Sequence, residues 1–377
     1  MMKRFLSLAL SVALILSLAA CSAPARQSGA PQSSTPSPSA PQENPAPSGE
    51  SALGDLSMTY DLSVGQMGTG IKAAMVVLAH EMGYYEEEGL NVELTQISNL
   101  NDGLTAITLG KLDVLPFGVI PTCTFIAQGA DLTVIGGTIA EGSACVALPE
   151  REEEFRDIQN FAGKTVACVR AETGHMMMKD QMRQAGVDMS TVTFVELDGF
   201  QSVVEAVLKG SADVGFVNSG FEQNAVTQGL VVPFFVGEYT PDNVCCRQTT
   251  SGAVIEEKRP ALVRFEVANL RAMKLMYDDP ETTIATLAAF SGQSEDYVKY
   301  CIYDGCMKIS MDPAKNRVVE FFDVMKANGD IGADVENTMA DHVDASIYLD
   351  ALNIVLERYP DDVHFQEMLE AYDANNL

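Results

Sequence analysis

A repeated alternation of short apolar runs and amphipathic segments constrains the fold of this chain more than any other feature. From Met58 to Ile139, strand-like apolar runs are followed by segments of helical periodicity, several of which end at a glycine. The alternation begins again at Lys164 and continues to Val236. Strands that alternate with helices form a mainly parallel sheet flanked by helices. The sequence therefore predicts an α/β fold built from two such units.

The same periodicities predict individual elements. Strands are expected at 58–64, 90–97, 114–117, 132–139, 164–169, 192–197, 214–217, 230–236 and 244–249. Helices are expected at 71–82, 104–109, 122–128, 175–185, 202–209, 221–228 and 260–277, with further helices to the end of the chain. Strands are scarce after 249, so the tail is predicted to pack as helices around the first unit.

Two segments share a local signature that supports two lobes of similar design. Ala106–Val114 and Ala206–Val214 each contain a helix end, a glycine and an Asp-Val pair that opens a strand. An aspartate after a glycine stop is common turn chemistry, so Asp113 and Asp213 are assigned structural rather than catalytic roles.

The predicted order of elements divides the chain into lobes. Lobe one comprises residues 53–141 plus 243–377, including the helical tail, and lobe two comprises residues 142–242. The chain then crosses between the lobes twice, and two crossings form a natural hinge.

The N-terminus resembles an export signal. Lys3 and Arg4 precede the apolar run Phe5–Leu18, and Leu-Ala-Ala-Cys ends the segment at Cys21. A short positive region, a short apolar region and small residues are typical of a secretory signal peptide, here residues 1–21. The ending resembles a bacterial lipobox, in which Cys21 is lipidated. The alternative is an ordinary signal peptide with an incidental cysteine.

Residues 22–52 follow with seven of the 16 prolines and eight serines. A segment with so few large apolar residues cannot bury a core and is expected to be disordered. It would span about 30 Å as a flexible tether between a membrane anchor and the folded body. The alternative is a low-complexity insert without function.

Composition excludes several functions. Lys and Arg number 24 against 52 Asp and Glu, a net charge of −28, which argues against nucleic-acid binding and against a basic membrane-binding patch. No internal apolar run is long enough to span a bilayer. Apart from Cys21, seven cysteines remain, an odd number without a Cys-x-x-Cys pair, so neither complete disulfide pairing nor a zinc site is expected. We expect no metal or other cofactor.

Four segments carry a resemblance to a known family. They are Asp61–Gly65, Gly83–Leu94, Gly110–Val114 and Gly210–Val214, of which the second, with Gly-Tyr-Tyr-Glu-Glu-Glu-Gly-Leu, is the most specific. They resemble the substrate-binding proteins of nitrate, sulfonate, taurine and thiamine-pyrimidine ABC importers. The resemblance implies a two-lobe periplasmic-binding-protein fold of type II, a ligand in the interlobe cleft, ABC permease subunits as partners and a monomeric receptor.

Ligands of open α/β sheets bind beyond the carboxyl ends of the strands, which selects the loops there as candidate sites. The candidate ligand-binding residues are Gln66, Thr69, Asn99, Asp102, Ile120 and Thr122 in lobe one, Arg170, Thr173, His175, Asn218, Phe221 and Glu222 in lobe two, and Arg247 on the returning strand.

The chemistry of these residues leaves the ligand open. Thr173 is expected to cap a helix whose free N–H groups attract an anion, with Arg170 and His175 adding positive charge. Asn218 offers hydrogen bonds and Phe221 an aromatic face, whereas Glu222 suits an amine or a pyrimidine N–H. The candidate ligands therefore fall into two alternative classes: an anion, which is a sulfonate, nitrate or carboxylate, or a flat nitrogen heterocycle. His175 and Phe221 have surface and core roles as alternatives.

Arg247 lies in the predicted returning strand, where alternation places Cys245 and Arg247 on one face and Cys246 and Gln248 on the other. A buried arginine needs a partner, which is either a ligand anion in the cleft or one of the many carboxylates.

Three functions follow from these observations. The leading hypothesis is a non-enzymatic, lipid-anchored receptor on the outer face of the cell membrane that delivers a small solute to an ABC importer. The second is an enzyme similar to the thiamine-pyrimidine synthases of yeast, which share this fold and have a cysteine-rich segment that Cys245-Cys246 resembles. The third is a ligand-sensing lipoprotein without a transport role.

Overall fold

The computed structural model describes residues 49–305 and 307–377. The predicted signal peptide, the lipidation site at Cys21 and the tether up to residue 48 lie outside the described residues. The last part of the predicted tether is ordered, because Gly49–Leu53 form a 3-10 helix in which Ala52 and Leu53 are buried. Residues 49–52 of the predicted tether thus belong to the described part of the chain.

Arg264 holds the first described segment in place. Its guanidinium is buried and donates to the carbonyls of Leu53, Asp55 and Met58 at 2.8–2.9 Å. These bonds attach the first described segment to the helix Gly252–Asp278, the longest in the described part of the chain.

Nine strands form in the described residues: β1 (Tyr60–Gln66), β2 (Leu90–Gln96), β3 (Thr133–Glu141), β4 (Ser143–Val146), β5 (Thr165–Val169), β6 (Thr193–Leu197), β7 (Val214–Asn218), β8 (Cys246–Thr250) and β9 (Lys308–Ile309).

The helices of the same residues are α1 (Ala74–Glu81), α2 (Tyr84–Glu87), α3 (Leu100–Thr108), α4 (Val119–Ala127), α5 (Glu152–Phe155), α6 (Thr173–Gln184), α7 (Phe200–Leu208), α8 (Phe221–Thr227), α9 (Gly252–Asp278), α10 (Pro280–Ser291), α11 (Glu295–Lys299), α12 (Lys315–Asn328), α13 (Ser346–Arg358) and α14 (Val363–Asn376). None of them is long and apolar enough to cross a membrane.

The strands pair in two groups. One group contains the parallel pair β1–β2 and the antiparallel order β8-β3-β9, which isolated bridges at Val64–Val114 and Leu115–Thr249 connect. The other group is a four-stranded sheet of order β4-β7-β5-β6, in which β5 pairs in parallel with β6 and β7. The α/β fold predicted from the alternation is confirmed, and antiparallel pairs occur at β8, β9 and β4. The division into lobes at residues 141–142 and 242–243 stays a prediction.

Two predicted strands do not form as strands. In residues 114–117, Val114 bridges Val64 and Leu115 bridges Thr249. In residues 230–236, Phe235 bridges Ala144 of β4 and Val231 bridges Ala147, the residue after β4. Ser143–Val146 form β4, which periodicity did not reveal because all four residues are buried and show no alternation. The predicted helix 260–277 begins earlier, at Gly252, and has a non-helical residue at Lys258, two positions before Pro260.

Candidate functional site

A cavity of about 420 Å³ lies between the two groups of strands. Its lining comes from loops that follow β1, β5 and β7, from the first turn of α4 and from the start of β8. The lining residues are Met67, Gly70, Lys72, Leu100, Phe117, Gly118, Val119, Ile120, Pro121, Val169, Ala171, Glu172, Thr173, Phe200, Asn218, Cys245 and Cys246. Carboxyl ends of strands thus contribute to the cavity, as expected for an α/β sheet.

The N-terminus of α4 forms one wall. Gly118 precedes the helix with φ of +71°, in the left-handed region that glycine adopts without strain. A Cβ atom at Gly118 would lie 2.7 Å from Leu100 Cδ1, so a larger residue would also collide with this wall. No side chain caps α4. The first turn of α4 lines the cavity, and its first N–H groups donate to no capping side chain, so this helix end favours negative charge in the cavity.

Lys72 adds a full positive charge to the same wall. It lies in the 3-10 turn Ile71–Ala73 that follows the glycine-rich loop, and it is half-buried. Among the described residues, no carboxylate lies within 4.0 Å of its ammonium group to form an ion pair. This wall therefore presents a cation and helix N–H donors to a ligand.

Glu172 carries the negative charge of the opposite wall. It is the N-cap of α6, and its carboxylate accepts from the backbone N–H groups of Gly174 and His175 at 2.9 and 3.1 Å. It also accepts from the Ser143 hydroxyl and from Asn218 Nδ2, the latter at 2.8 Å. Burial by itself would raise the pKa of Glu172, but bonds from His175, Ser143 and Asn218 and the nearby imidazole lower it to about 2. The carboxylate stays ionised and its acceptor positions are largely filled.

This network corrects the predicted anion site at α6. Glu172, not Thr173, caps the helix, so its free N–H groups already hold a carboxylate. A second anion at this helix end would meet a buried negative charge. Thr173 nevertheless lines the cavity, together with Ile120 and Asn218, and these three predicted residues are brought together by the structure.

Two residues beside the Glu172 network have unusual backbone conformations. Ala171 has φ of +55° and Ser219 has φ of +60°, both in the left-handed region that costs non-glycine residues free energy. Ala171 lines the cavity, and Ser219 follows Asn218 at the end of β7. Such residues cluster at ligand sites, where the surrounding structure holds them in place.

Several predicted site residues support the cavity without lining it. Gln66 is buried and donates through Nε2 to the carbonyls of Gly68 and Gly70 at 3.2 and 3.4 Å, which holds the glycine-rich loop. The hydroxyl of Thr122 hydrogen-bonds that of Thr249 at 3.0 Å and connects α4 to β8.

On α6 and α8 the supporting residues lie behind the wall. His175 is buried, with its Nδ1 3.5 Å from Glu172 Oε2 and its ring against Phe194. The Phe221 ring packs on Phe200, a lining residue, at a centroid distance of 5.7 Å. Glu222 is buried in the first turn of α8.

Four predicted residues are exposed. Thr69 lies at the tip of the glycine-rich loop. Asn99 and Asp102 cap α3 by bonding each other, with Asp102 N 2.9 Å from Asn99 Oδ1. Arg170 is 81% exposed and pairs with Glu196 at 2.9 Å. Helix capping accounts for Asn99 and Asp102 and a surface ion pair for Arg170, and the structure brings none of the four side chains to the cavity.

Arg247 has neither of the partners that its sequence context suggested. Its guanidinium is buried and donates to three backbone carbonyls, those of Pro313, Ile139 and Cys246, at 2.9, 3.0 and 2.9 Å. Burial lowers its pKa, and the charge of nearby Asp312 opposes that effect. The predicted ligand contact and the predicted carboxylate ion pair are both replaced by backbone acceptors, because β8 turns this side chain away from the cavity.

Cys245 and Cys246 both line the cavity, with their sulfur atoms 3.8 Å apart. Strict strand alternation predicted opposite faces, but β8 begins at Cys246 and Cys245 lies just before it. The hydrogen bond from Cys245 lowers the pKa of the Cys246 thiol to about 6, and Lys72 and the Gly118 N–H act in the same direction against burial.

Sequence reasoning missed several lining residues, foremost Lys72, Phe117, Phe200, Cys245 and Cys246. The position of Lys72 directly after a glycine-rich loop was an available signal for one of them. The apolar lining residues carry no such signal, because core residues show the same pattern. Within the part of the chain that the structure describes, no group of three or more His, Cys, Asp or Glu side chains could hold a metal ion.

The architecture is that of the periplasmic binding proteins. The alkanesulfonate-binding protein SsuA of Xanthomonas axonopodis pv. citri, solved with bound MOPS, superposes with a TM-score of 0.60 at 19% identity, covering 76% of this chain and 99% of that protein. The periplasmic nitrate-binding protein NrtA of Synechocystis PCC 6803 gives 0.61 at 12% identity, covering 78% and 88%. A ligand-binding component of an ABC-type import system from Staphylococcus aureus, solved with zinc, gives 0.63 at 14%, covering 78% and 99%.

Within this class, residues 71–283 match the family model described as NMT1/THI5 like, and the chain belongs to that family. Curated relatives include the 4-amino-5-hydroxymethyl-2-methylpyrimidine phosphate synthase of Candida albicans (strain WO-1), 26% identical over 155 residues, or 41% of this chain and 45% of the relative. The enzyme of the same name from Legionella pneumophila is 25% identical over 146 residues, or 38% and 45%. The match spans less than half the length of these relatives.

Proposed function

We propose that this protein is a solute receptor that binds a small organic molecule in the cavity and delivers it to an ABC importer from the outer face of the cell membrane, anchored through lipidated Cys21. It acts by binding and not by catalysis. The observation that carries the proposal is one cavity with walls from both groups of strands. A solute that contacts both walls stabilises their approach, and this is how a hinged receptor registers its ligand.

The cavity favours an organic solute over a small inorganic anion. Its volume is about 420 Å³, and apolar groups such as Phe117, Val169 and Phe200 form much of the lining. Lys72 and the α4 N-terminus place the donors on one wall, whereas the Glu172 carboxylate is already occupied by donors of its own chain. We therefore infer an apolar body with a polar or anionic group directed at Lys72, such as an organic sulfonate or carboxylate, with a flat nitrogen heterocycle as the neutral competitor.

A thermal-shift screen tests this function. The panel contains nitrate, methanesulfonate, MOPS, benzoate and 4-amino-5-hydroxymethyl-2-methylpyrimidine. A bound solute should raise the unfolding midpoint in proportion to the logarithm of its concentration. Lys72→Met should abolish the shift of an anionic solute, whereas Lys111→Met, at an exposed lysine, should leave it unchanged. If none of these solutes raises the unfolding midpoint, the protein is not a receptor for organic anions or nitrogen heterocycles of these kinds.

Anchoring has a separate test. Cys21→Ser should move the protein from the membrane fraction to the soluble exported fraction, because a diacyl group holds a protein at the bilayer far better than a single chain. Unchanged membrane association would contradict lipidation at Cys21. If the protein co-purifies with a permease and an ATPase, it serves transport and is not only a sensor.

The names of the curated relatives favour one other candidate, a pyrimidine synthase-like enzyme. That activity would consume a pyridoxal-type precursor. Formation of a phosphorylated pyrimidine by the purified protein, and its loss in Cys246→Ser, would establish the enzyme. Binding without turnover would support the receptor.

A further inference from the structure

The Cys245–Cys246 pair differs from the other described cysteines in its surroundings. All six described cysteines, Cys245 and Cys246 included, are buried, but Cys123, Cys145, Cys168 and Cys301 do not line the cavity. The side chains of Cys245 and Cys246 line it. A small molecule that enters the cavity thus meets two sulfur atoms 3.8 Å apart.

The surroundings of Cys246 are those of a reactive thiol. Reactive cysteines lie beside cations or helix N-termini in sites that reagents can enter. Lys72 and the N-terminus of α4 lie on the same wall of the cavity, and the positive charge of Lys72 and the Gly118 N–H both lower the pKa of the Cys246 thiol. Cys245 offers its S–H as a further donor, which stabilises a thiolate at Cys246.

We propose that Cys246 is a thiol-modification site inside the ligand cavity, where it undergoes exchange with low-molecular-weight disulfides. The Cys246 thiolate attacks one sulfur of a disulfide R–S–S–R. A bond forms between Cys246 Sγ and that sulfur, the R–S–S–R bond breaks, and R–S⁻ leaves and takes a proton from water. The protein sulfur is oxidised to a mixed disulfide and one R–S unit is reduced. The adduct occupies the cavity, so the modification closes the site to other molecules.

The neighbouring thiol does not readily remove this adduct. Attack of Cys245 on the mixed disulfide would require a disulfide between adjacent residues. Consecutive Cα atoms lie about 3.8 Å apart across a trans peptide, below the range of about 4.4–6.8 Å that disulfides usually span. The mixed disulfide at Cys246 therefore persists until an external thiol reduces it. This differs from spaced dithiol motifs, in which the second cysteine resolves the adduct.

Treatment of the folded protein with neutral 2-hydroxyethyl disulfide tests the proposal. Peptide mapping by mass spectrometry should find the hydroxyethylthio group at Cys246 and leave Cys123, Cys145, Cys168 and Cys301 unmodified. The rate should level off above about pH 7, whereas that of an ordinary thiol rises until about pH 8.5. The pH at which the rate levels off identifies a thiol of low pKa. The size of the rate does not, because a thiolate of lower pKa is also intrinsically less nucleophilic.

Variants separate the contributions. Lys72→Met should move the plateau to higher pH and Lys111→Met should not. Cys246→Ser should remove the adduct, and Cys245→Ser should keep it while moving the plateau upward. The comparison among cysteines of the unmutated protein needs no variant and is independent of any folding defect.

Three results would overturn the proposal. They are a Cys246 as unreactive as Cys123, a plateau near pH 8.5, or a Cys245–Cys246 disulfide as the main product. The reaction does not depend on which solute the cavity binds. If no solute of the thermal-shift panel binds, the thiol test can still be interpreted. Conversely, an unreactive Cys246 would not contradict the receptor proposal.

Discussion

Glu266 shows how a single buried residue sets a pH dependence. Its side chain is fully buried on α9, with Asn269 Nδ2 3.5 Å from its Oε2 and with Gly136 facing its Oε1. A Cβ atom at Gly136 would lie 2.6 Å from that oxygen, so the strand has no room for a side chain there. Burial raises the pKa of Glu266 to about 8, although bonds with Gln248 and Asn269 lower it. The carboxyl group is neutral at pH 7.

Glu266→Gln should remove a pH-dependent part of the stability. The folded pKa exceeds the unfolded value of about 4.3, so the unfolded state releases its proton first as the pH rises. The free energy of unfolding should therefore fall as the pH rises from about 4.3 to about 8 and should then level off. At about 1.4 kcal/mol per unit of pKa difference, the total fall should be several kcal/mol.

Urea unfolding across this pH range measures the effect. In Glu266→Gln the fall should be absent, because glutamine is a neutral analogue of the protonated acid. Glu93→Gln, at an exposed position on β2, serves as the matched control and should retain it. An identical pH profile in the unmutated protein and Glu266→Gln would show that this carboxyl group ionises normally.

Arg247 is predicted to stabilise the fold and not to bind the solute. Arg247→Met removes donors from three buried carbonyls, which should lower the free energy of unfolding by about 2–4 kcal/mol. The affinity of the remaining folded protein for a solute should change little. Arg170→Met removes only an exposed ion pair and should cost less than about 1 kcal/mol. Urea unfolding and solute titration of both variants distinguish a stabilising role of Arg247 from a ligand-binding role. If Arg247→Met lost affinity for a solute at unchanged stability, Arg247 would bind the solute after all.

At the scale of elements, α6 and α12 are connected by one side chain. Asn328, the last residue of α12, donates through Nδ2 to the Met176 carbonyl at 3.1 Å and accepts from Arg183 Nη1 at 2.8 Å. α6 begins at the cavity, with Glu172 as its cap, so this amide connects the helical tail to a wall of the site. No pattern in the sequence predicts this contact, since the two helices are far apart in the chain.

Asn328→Ala should weaken this connection. The loss of two partly buried hydrogen bonds predicts a decrease of about 1–2 kcal/mol in the free energy of unfolding, and faster amide hydrogen exchange in the first turns of α6. Asn91→Ala, which removes one exposed bond to Asp61, should leave α6 unaffected. Unchanged exchange in α6 of Asn328→Ala would mean that other α6–α12 contacts suffice.

At the scale of the whole molecule, the proposed hinge lies where β3 ends and where the chain returns toward β8. The Asp242 N–H donates to Glu141 Oε1 at 2.6 Å, and Lys308 pairs with Asp242. Both proposed crossings therefore lie side by side in the fold. Two adjacent connections permit rotation about a common axis more easily than separated ones, which suits a movement that closes the cavity.

Small-angle X-ray scattering should detect this closure. A solute that raises the unfolding midpoint should also reduce the radius of gyration at saturation, because it binds the closed arrangement more tightly. Lys72→Met with the same concentration of an anionic solute should keep the radius of the unliganded protein. An unchanged radius in a protein with demonstrated binding would contradict hinge closure.

The sequence by itself determined the order and type of most elements. Periodicity records which face of a segment is buried, so β1, β5 and α7 were recognisable from their own residues. Periodicity did not reveal β4, because this strand is buried on both faces. It also predicted strands at residues 114–117 and 230–236, where only isolated bridges form. Whether an apolar run pairs as a strand depends on its neighbours, which lie elsewhere in the chain.

The location of the candidate site at strand ends also followed from the sequence, whereas its composition did not. Thr173 and Asn218 were identified, but only the folded chain brings Lys72, Glu172 and Cys246 to one cavity. The same applies to Arg247, whose partners are backbone carbonyls that no residue pattern reveals. Local sequence encodes burial and capping over a few residues, while the direction of a buried polar side chain depends on which donors and acceptors tertiary packing places beside it.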